Sequence, residues 1–428
     1  MDYWALIFIC GAFMIIAFLS ASPSEIMHGF GEINTSRSVL VSDYIAMAGL
    51  GATLFNAALS CGLFLLLLIL TKTKPNGKII TALFLTLGFS MFGKNIVNTL
   101  PLCLGVGLYA RIHRDSFGVF VVNAMFSATV SPIVSEIAFS GGDRSVPRFI
   151  IAYGAGIVIG FVFPALVTSV KKIHNDYCHY NSGIAGGFIA TFAAGIFKSM
   201  GYEIVPEFYW ETSSKTSMYL GIWAYSFAVI SIIFGLVAGG ENIKSAFRKF
   251  KAIFTEKEKH NNDYHFHYGI SCYINIGIMC IIATTTMLIL KFPINGPVLG
   301  GIITIAGFAV AGKQMRNTVP IILGSIAAVY LNRFEVTEAS NALSILFSTG
   351  LAPIACKFGF FWGIIAGFMH VSVAIFIGDI NGGLNLYNNG FAGGFVAITL
   401  VPIILLFNKV VLGKEEIGHF TYKRRKGD

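Results

Sequence analysis

Ten stretches of this chain run for roughly 20 residues almost free of charge, and such a stretch is long enough to cross the hydrocarbon of a bilayer as a helix. They are residues 3–21, 44–71, 115–138, 147–170, 180–199, 217–240, 266–290, 337–353, 356–378 and 385–408. Backbone in lipid has no water to bond with, so these runs predict helices that satisfy their own amides. The fold class expected is an all-α polytopic membrane protein. Charged residues make up only 12% of the chain and apolar ones 55%, whereas a soluble domain carries about 25% charge. That balance excludes a soluble enzyme, a disordered chain and a secreted disulfide scaffold. The net charge of +9 does not point to nucleic acid, because the basic residues are scattered in short loops rather than gathered on one soluble face. Seven cysteines occur without a CxxC pair, and most sit in apolar runs where a free thiol packs as a small hydrophobe. The first run has no basic residues before it and reads as a retained span, not a cleaved leader.

Two further segments, 78–111 and 297–331, are too long for one crossing and too short for two comfortable ones. Each has a Gly-Lys in its middle and a proline beyond it. Each reads as a helical hairpin, re-entrant or fully crossing. Charge counting supports this, since Lys and Arg gather in cytoplasmic loops. If both hairpins return to the side they left, 20 of the 30 basic residues fall on one side and 7 on the other, with Lys94, Lys313 and Arg316 inside the hairpins. Both termini are then expected in the cytoplasm, with the chain in the cytoplasmic (inner) membrane.

The sequence is duplicated. A shift of 219 residues superposes 56–105 on 275–324 without a gap, with 14 of 50 positions identical. The densest match is GKNIVNTLPLCLG (93–105) against GKQMRNTVPIILG (312–324). Gly88-Phe89 meets Gly307-Phe308, FSATVSP (126–132) resembles FSTGLAP (347–353), and YNSGIAGGF (180–188) matches YNNGFAGGF (387–395). Apolar composition would repeat Leu and Ile; it would not repeat Asn, Lys, Thr, Pro and Gly. The charge-derived topology orients the copies oppositely, giving two inverted-topology repeats. The expected organisation is an N-terminal span and outer loop (1–43), repeat 1 (44–199), a connecting span and cytoplasmic linker (200–264), repeat 2 (265–408) and a basic cytoplasmic tail (409–428). Inverted repeats are typical of secondary transporters, whose solute sits near the midplane where the repeats meet. In the linker, Ile243, Phe247, Phe250 and Phe254 recur at helical spacing among Lys244, Arg248, Lys249 and Lys251, which predicts an amphipathic helix on the anionic inner leaflet, tethering the halves.

Ionisable side chains at membrane depth are costly and mark solute or ion pathways by default. Lys94 and Lys313 are such residues, and Asn98, Thr99, Asn317 and Thr318 add polar groups beside them. Together they form a candidate site for a small, polar, anionic solute. Arg316 has no basic counterpart and reads as a second anion contact or a partner for Glu136. Glu136, a carboxylate inside one of these spans, is a candidate coupling site. Tyr180, Asn181, Tyr387 and Asn388 open the two YN[SN]GxAGGF segments and flank the same centre. The groups His174–Cys178–His179 and His260–His265–His267 lack the four-ligand spacing of a zinc site, so neither a metal nor a cofactor is expected. No P-loop, HExxH or GxSxG motif in context suggests an enzyme.

The paired GKxxxNTxP hairpins and YN[SN]GxAGGF segments resemble those of an uncharacterised family of duplicated bacterial multi-pass membrane proteins, across most of the chain. In architecture, with a Tyr-Asn-Gly-type segment in each inverted half, the chain is also similar to urea transporters. That second resemblance implies a homo-oligomer, a trimer of helical pores, passing a small neutral solute. The expected partners are the lipid bilayer and a small-molecule solute; a non-transporting membrane assembly or sensor protein is the remaining alternative.

Overall fold

A computed structural model describes residues 2–142, 145–255, 263–331 and 337–411. The described residues are helical throughout, apart from loops and one isolated parallel bridge between Ser42 and Tyr209. Arg144, Arg333, His260 and the tail beyond Val411 lie outside the described residues. Among the described residues, nine helical segments are long and apolar enough to cross a membrane. The chain is a multi-helix membrane protein.

It opens with α1 (Asp2–Ser20), a short helix α2 (Pro23–Asn34), and α3 (Tyr44–Leu70). The sequence had placed α2 in a plain outer loop. It forms because Ser22 and Glu25 close a reciprocal capping box, with Pro23 in the first turn. The first hairpin is α4 (Gly77–Phe89) and α5 (Ile96–Ile112); the second is α14 (Gly296–Phe308) and α15 (Met315–Leu331). A 13-residue helix is only about 20 Å long, short of the roughly 30 Å hydrocarbon layer. Asn76 caps α4 through the Ile79 amide and Asn295 caps α14 through the Val298 amide, so the copies begin identically.

Between hairpin and copy boundary, two expected spans are broken. The run 115–138 is α6 (Phe117–Ser127), a 3-10 turn (Ala128–Val130) and α7 (Ser131–Phe139). The run 337–353 is interrupted in the same way. Pro132 and Pro353, at the second position of the helices that follow, cannot donate an amide to the preceding turn. The long helices α8 (Val146–Ile173) and α9 (Asn181–Ser199) complete the first half. Then come α10 (Ser214–Ala238), the linker helix α11 (Ile243–Thr255), α12 (Tyr264–Tyr268) and α13 (Cys272–Ile289). The second half closes with α16 (Glu338–Ser348), α17 (Ala352–Phe358), α18 (Phe360–Asn381) and α19 (Asn388–Val411).

The two hairpins form the buried centre. Every residue of α14, and all of α4 but Lys78, is buried. They pack on each other in antiparallel sense: Gly88 lies against the Gly300 backbone, and the Thr81 hydroxyl donates to the Gly307 carbonyl at 2.9 Å. Each hairpin's second helix is held by a long helix of its own half through glycine contacts. Gly160 sits on the Leu102 carbonyl and Gly105 on that of Ile157; Gly367 sits on the Ile321 carbonyl and Gly324 on that of Ile364. A Cβ at any of these positions would strike backbone. That close approach is the membrane's usual substitute for a hydrophobic driving force between helices.

Candidate functional site

The hairpin tips are built by the duplicated Gly-Lys-x-x-x-Asn-Thr. Gly93 and Gly312 take φ of 101° and 113°, a region that a side chain disfavours. Asn98 closes the first tip: its side chain accepts from the Asn95 amide at 3.0 Å and donates to the Gly93 carbonyl at 2.9 Å. Asn317 repeats this, accepting from Gln314 and donating to Gly312, both at 2.9 Å. Thr99 and Thr318 donate to the neighbouring Asn98 and Asn317 side chains at 3.3 and 3.1 Å. From α3 and α13, Asn56 and Asn275 each donate to two tip carbonyls, Ser90 and Lys94 in one copy, Ala309 and Lys313 in the other. The polar side chains of the motif therefore spend their hydrogen bonds on the fold of the tip and, for Asn98, on Ser135 of α7 at 3.0 Å.

That leaves the lysines. Lys94 and Lys313 are 1% and 0% exposed. Each reaches across to the other copy. Lys94 Nζ donates to the Tyr387 hydroxyl at 2.5 Å and to the Met125 carbonyl at 3.3 Å. Lys313 Nζ donates to the Tyr180 hydroxyl at 2.6 Å and to Thr349 Oγ1 at 2.8 Å. Each ammonium also stands 4.6–5.6 Å from two ring centres, Phe89 and Tyr387 for Lys94, Phe308 and Tyr180 for Lys313. Among the described residues neither has a carboxylate within 4.0 Å.

Behind the tyrosines lies a cavity of about 30 Å³, room for roughly two waters. Its lining is Leu85, Phe89, Phe126, His179, Tyr180, Ser182, Gly183 and, one for one, their repeat mates Thr304, Phe308, Phe347, Leu386, Tyr387, Asn389 and Gly390. Each tyrosine packs against a phenylalanine of the opposite copy, tilted in one pair and edge-on in the other: Phe89–Tyr387 centroids are 4.4 Å apart and Tyr180–Phe308 centroids 5.0 Å. Gly183 and Gly390 pack so closely that a Cβ on either would strike the Cα of the other. The broken helices dock here as well, with Thr129 O accepting from the Leu386 amide at 2.7 Å and Gly350 O from the His179 amide at 2.8 Å. The breaks at 128–130 and 349–351 thus free carbonyls that hold the Tyr-Asn segments in place.

Of the residues singled out in the sequence, Tyr180 and Tyr387 line the cavity and the two lysines hold them. Asn181 and Asn388 do not line it; Asn388 accepts from Asn381 at 2.7 Å at the start of α19. Glu136 is buried elsewhere, gripped by Arg37 through two contacts of 2.8 and 2.6 Å and by the Tyr202 hydroxyl at 2.7 Å. Arg316 does not meet Glu136. It is exposed and donates to the Phe254 carbonyl at 2.8 Å. The four cavity phenylalanines escaped the sequence reading, although each lies in a duplicated segment. So did Asp43 and Asp263, separated by a one-residue gap from the main alignment. Asp263 accepts from the Gly77 amide at the start of α4, and the Asp43 carboxylate lies against Gly296 at the start of α14.

No curated protein and no solved structure matches the chain. A family model matches residues 22–199 and 242–406, in two segments that correspond to the duplication. The chain belongs to the family described as Protein of unknown function (DUF1576).

Proposed function

We propose that the chain moves a small polar solute, anionic in charge, across the cytoplasmic membrane through the cavity where two inverted repeats meet, and that it excludes cations. The observation that carries this reading is the cavity itself: all 14 lining residues form repeat-related pairs, with a lysine on each side that has no carboxylate partner among the described residues. Two buried lysines flanking a narrow apolar constriction raise the barrier for cations and lower it for anions when they are protonated. Inversion is supported by the antiparallel packing of α4 on α14. A twofold relating antiparallel helices is perpendicular to them, and lies in the membrane plane if they stand across the bilayer. The loop charges favour a cytoplasmic position for both termini. The four phenylalanines favour a second reading, a flat neutral solute as in the urea-transporter resemblance.

The test is flux into liposomes holding the purified chain, with panels of small anions, small neutral solutes and monovalent cations. Anion flux that falls in Lys94→Met/Lys313→Met is expected. Cation flux in the wild-type protein refutes the selectivity, and no flux of any solute by a folded chain refutes transport. Inversion is tested separately at the exposed repeat mates Lys72 and Lys291, replaced by Cys: labelling of both from one side of the membrane sinks it.

A further inference from the structure

The linker helix α11 is basic on its exposed face and is wired to the second hairpin. Ala246, Phe250 and Ile253 are buried, on the side that packs against the ends of α10 and α13. Lys244, Arg248, Lys249 and Lys251 are exposed, and the helix carries no acidic residue. Ile243 and Phe247 stand 61% and 45% exposed beside them, with Lys251 Nζ 5.0 Å from the Phe247 ring centre. Because α10 and α13 are candidate spans, α11 sits at a membrane face with apolar and cationic groups side by side, the composition of a surface that docks on anionic lipid.

Its repeat mate is α2. The two family-matched segments open at residues 22 and 242, at these helices, and both helices end on a hairpin tip. Asn95 Nδ2 donates to the Ile33 carbonyl at 3.0 Å and the Val97 amide to Asn34 Oδ1 at 3.4 Å. In the second copy Arg316, the mate of Val97, donates to the Phe254 carbonyl. At the start of α12, Tyr264 also holds the second tip: its amide donates to Val310 O at 2.9 Å and its hydroxyl to Gly312 O at 3.3 Å. The copies differ in charge. Helix α2 carries Glu25 and Glu32 and no Lys or Arg, so only α11 is complementary to an anionic surface.

We infer that α11 docks on anionic phospholipid headgroups, and that the Arg316–Phe254 hydrogen bond passes this docking to the second hairpin tip, three residues from Lys313. The inference rests on the membrane-spanning arrangement proposed above and does not depend on which solute, if any, crosses.

The experiment is hydrogen exchange on the full chain in nanodiscs of phosphatidylcholine alone or mixed with phosphatidylglycerol. Amides of α11 and of residues 309–318 are expected to exchange more slowly in the anionic discs. Salt should erase the difference by screening, which tests the idea without any substitution. Lys244→Gln/Arg248→Gln/Lys251→Gln should lose about fivefold of that protection per charge removed, from the typical contribution of a basic residue near an anionic surface. Arg316→Gln should leave α11 protected and free the tip. Equal exchange in the two discs at low salt overturns the docking. Tip protection that persists in Arg316→Gln overturns the coupling, and neither result bears on solute flux.

Discussion

Replacing Tyr387 by Phe removes one hydroxyl and leaves a buried ammonium short of a partner. Lys94 would keep the Met125 carbonyl at 3.3 Å as its hydrogen-bond partner beside the two aromatic rings, having lost the hydroxyl at 2.5 Å. A hydrogen bond to a charged group is worth about 1.5–3 kcal/mol, and the residual charge has no route to water. Tyr387→Phe should therefore cost about 2–3 kcal/mol. Tyr180→Phe should cost about 1 kcal/mol less, because Thr349 Oγ1 at 2.8 Å still serves Lys313. Lys94→Met removes the charge together with its need, and an apolar replacement for a buried ion is often neutral or stabilising. Added to Lys94→Met, Tyr387→Phe should then cost well under about 1 kcal/mol, so the pair is strongly non-additive. Thermal unfolding of the purified chain in one detergent, followed by tryptophan fluorescence, measures all four variants. If Lys94→Met is more damaging than Tyr387→Phe, or if the two costs simply add, the lysine is not the group the tyrosine serves and the reasoning fails.

Three further outcomes are expected. Gly88→Ala places a methyl against the Gly300 backbone and should cost at least about 2 kcal/mol by overpacking the hairpin crossing, whereas Gly62→Ala, with open space around it, should be near neutral in the same unfolding assay. Arg37→Gln strands the buried Glu136 carboxylate and should cost about 3 kcal/mol, while Arg37→Met/Glu136→Leu should recover most of it; equal losses would show the pair is not charge-coupled. Burial pushes the Asp43 carboxyl up from 3.8 to about 7. Its folded value lies above the unfolded one, so its contribution is whole below 3.8 and is lost as pH rises through about 7. Melting temperature should fall between about pH 5 and pH 8, and Asp43→Asn should flatten that fall; a wild-type rise over the window would refute it.

The sequence by itself determined the class, the duplication and the hairpins. These follow from local physics: apolar length sets the spans, and Gly, Asn and Pro at fixed offsets set the turns. It also pointed to the lysines, because a charge in an apolar run has few explanations. Only the tertiary structure decided what those lysines touch. Lys94 and Tyr387 are 293 residues apart, and the exchange of partners between copies is invisible to a comparison that aligns each copy with the other. The same holds for Asn98 and Thr99, whose hydrogen bonds go to their own tip and, for Asn98, to Ser135 of α7 rather than to the cavity. Burial reverses the usual expectation for the phenylalanines: in an apolar sequence Phe89 and Phe308 look like filler, and only packing about the centre makes them walls. Arg316 shows the same limit. Its position in a hairpin was readable, but whether it faced the centre or the linker helix depended on how two distant segments meet.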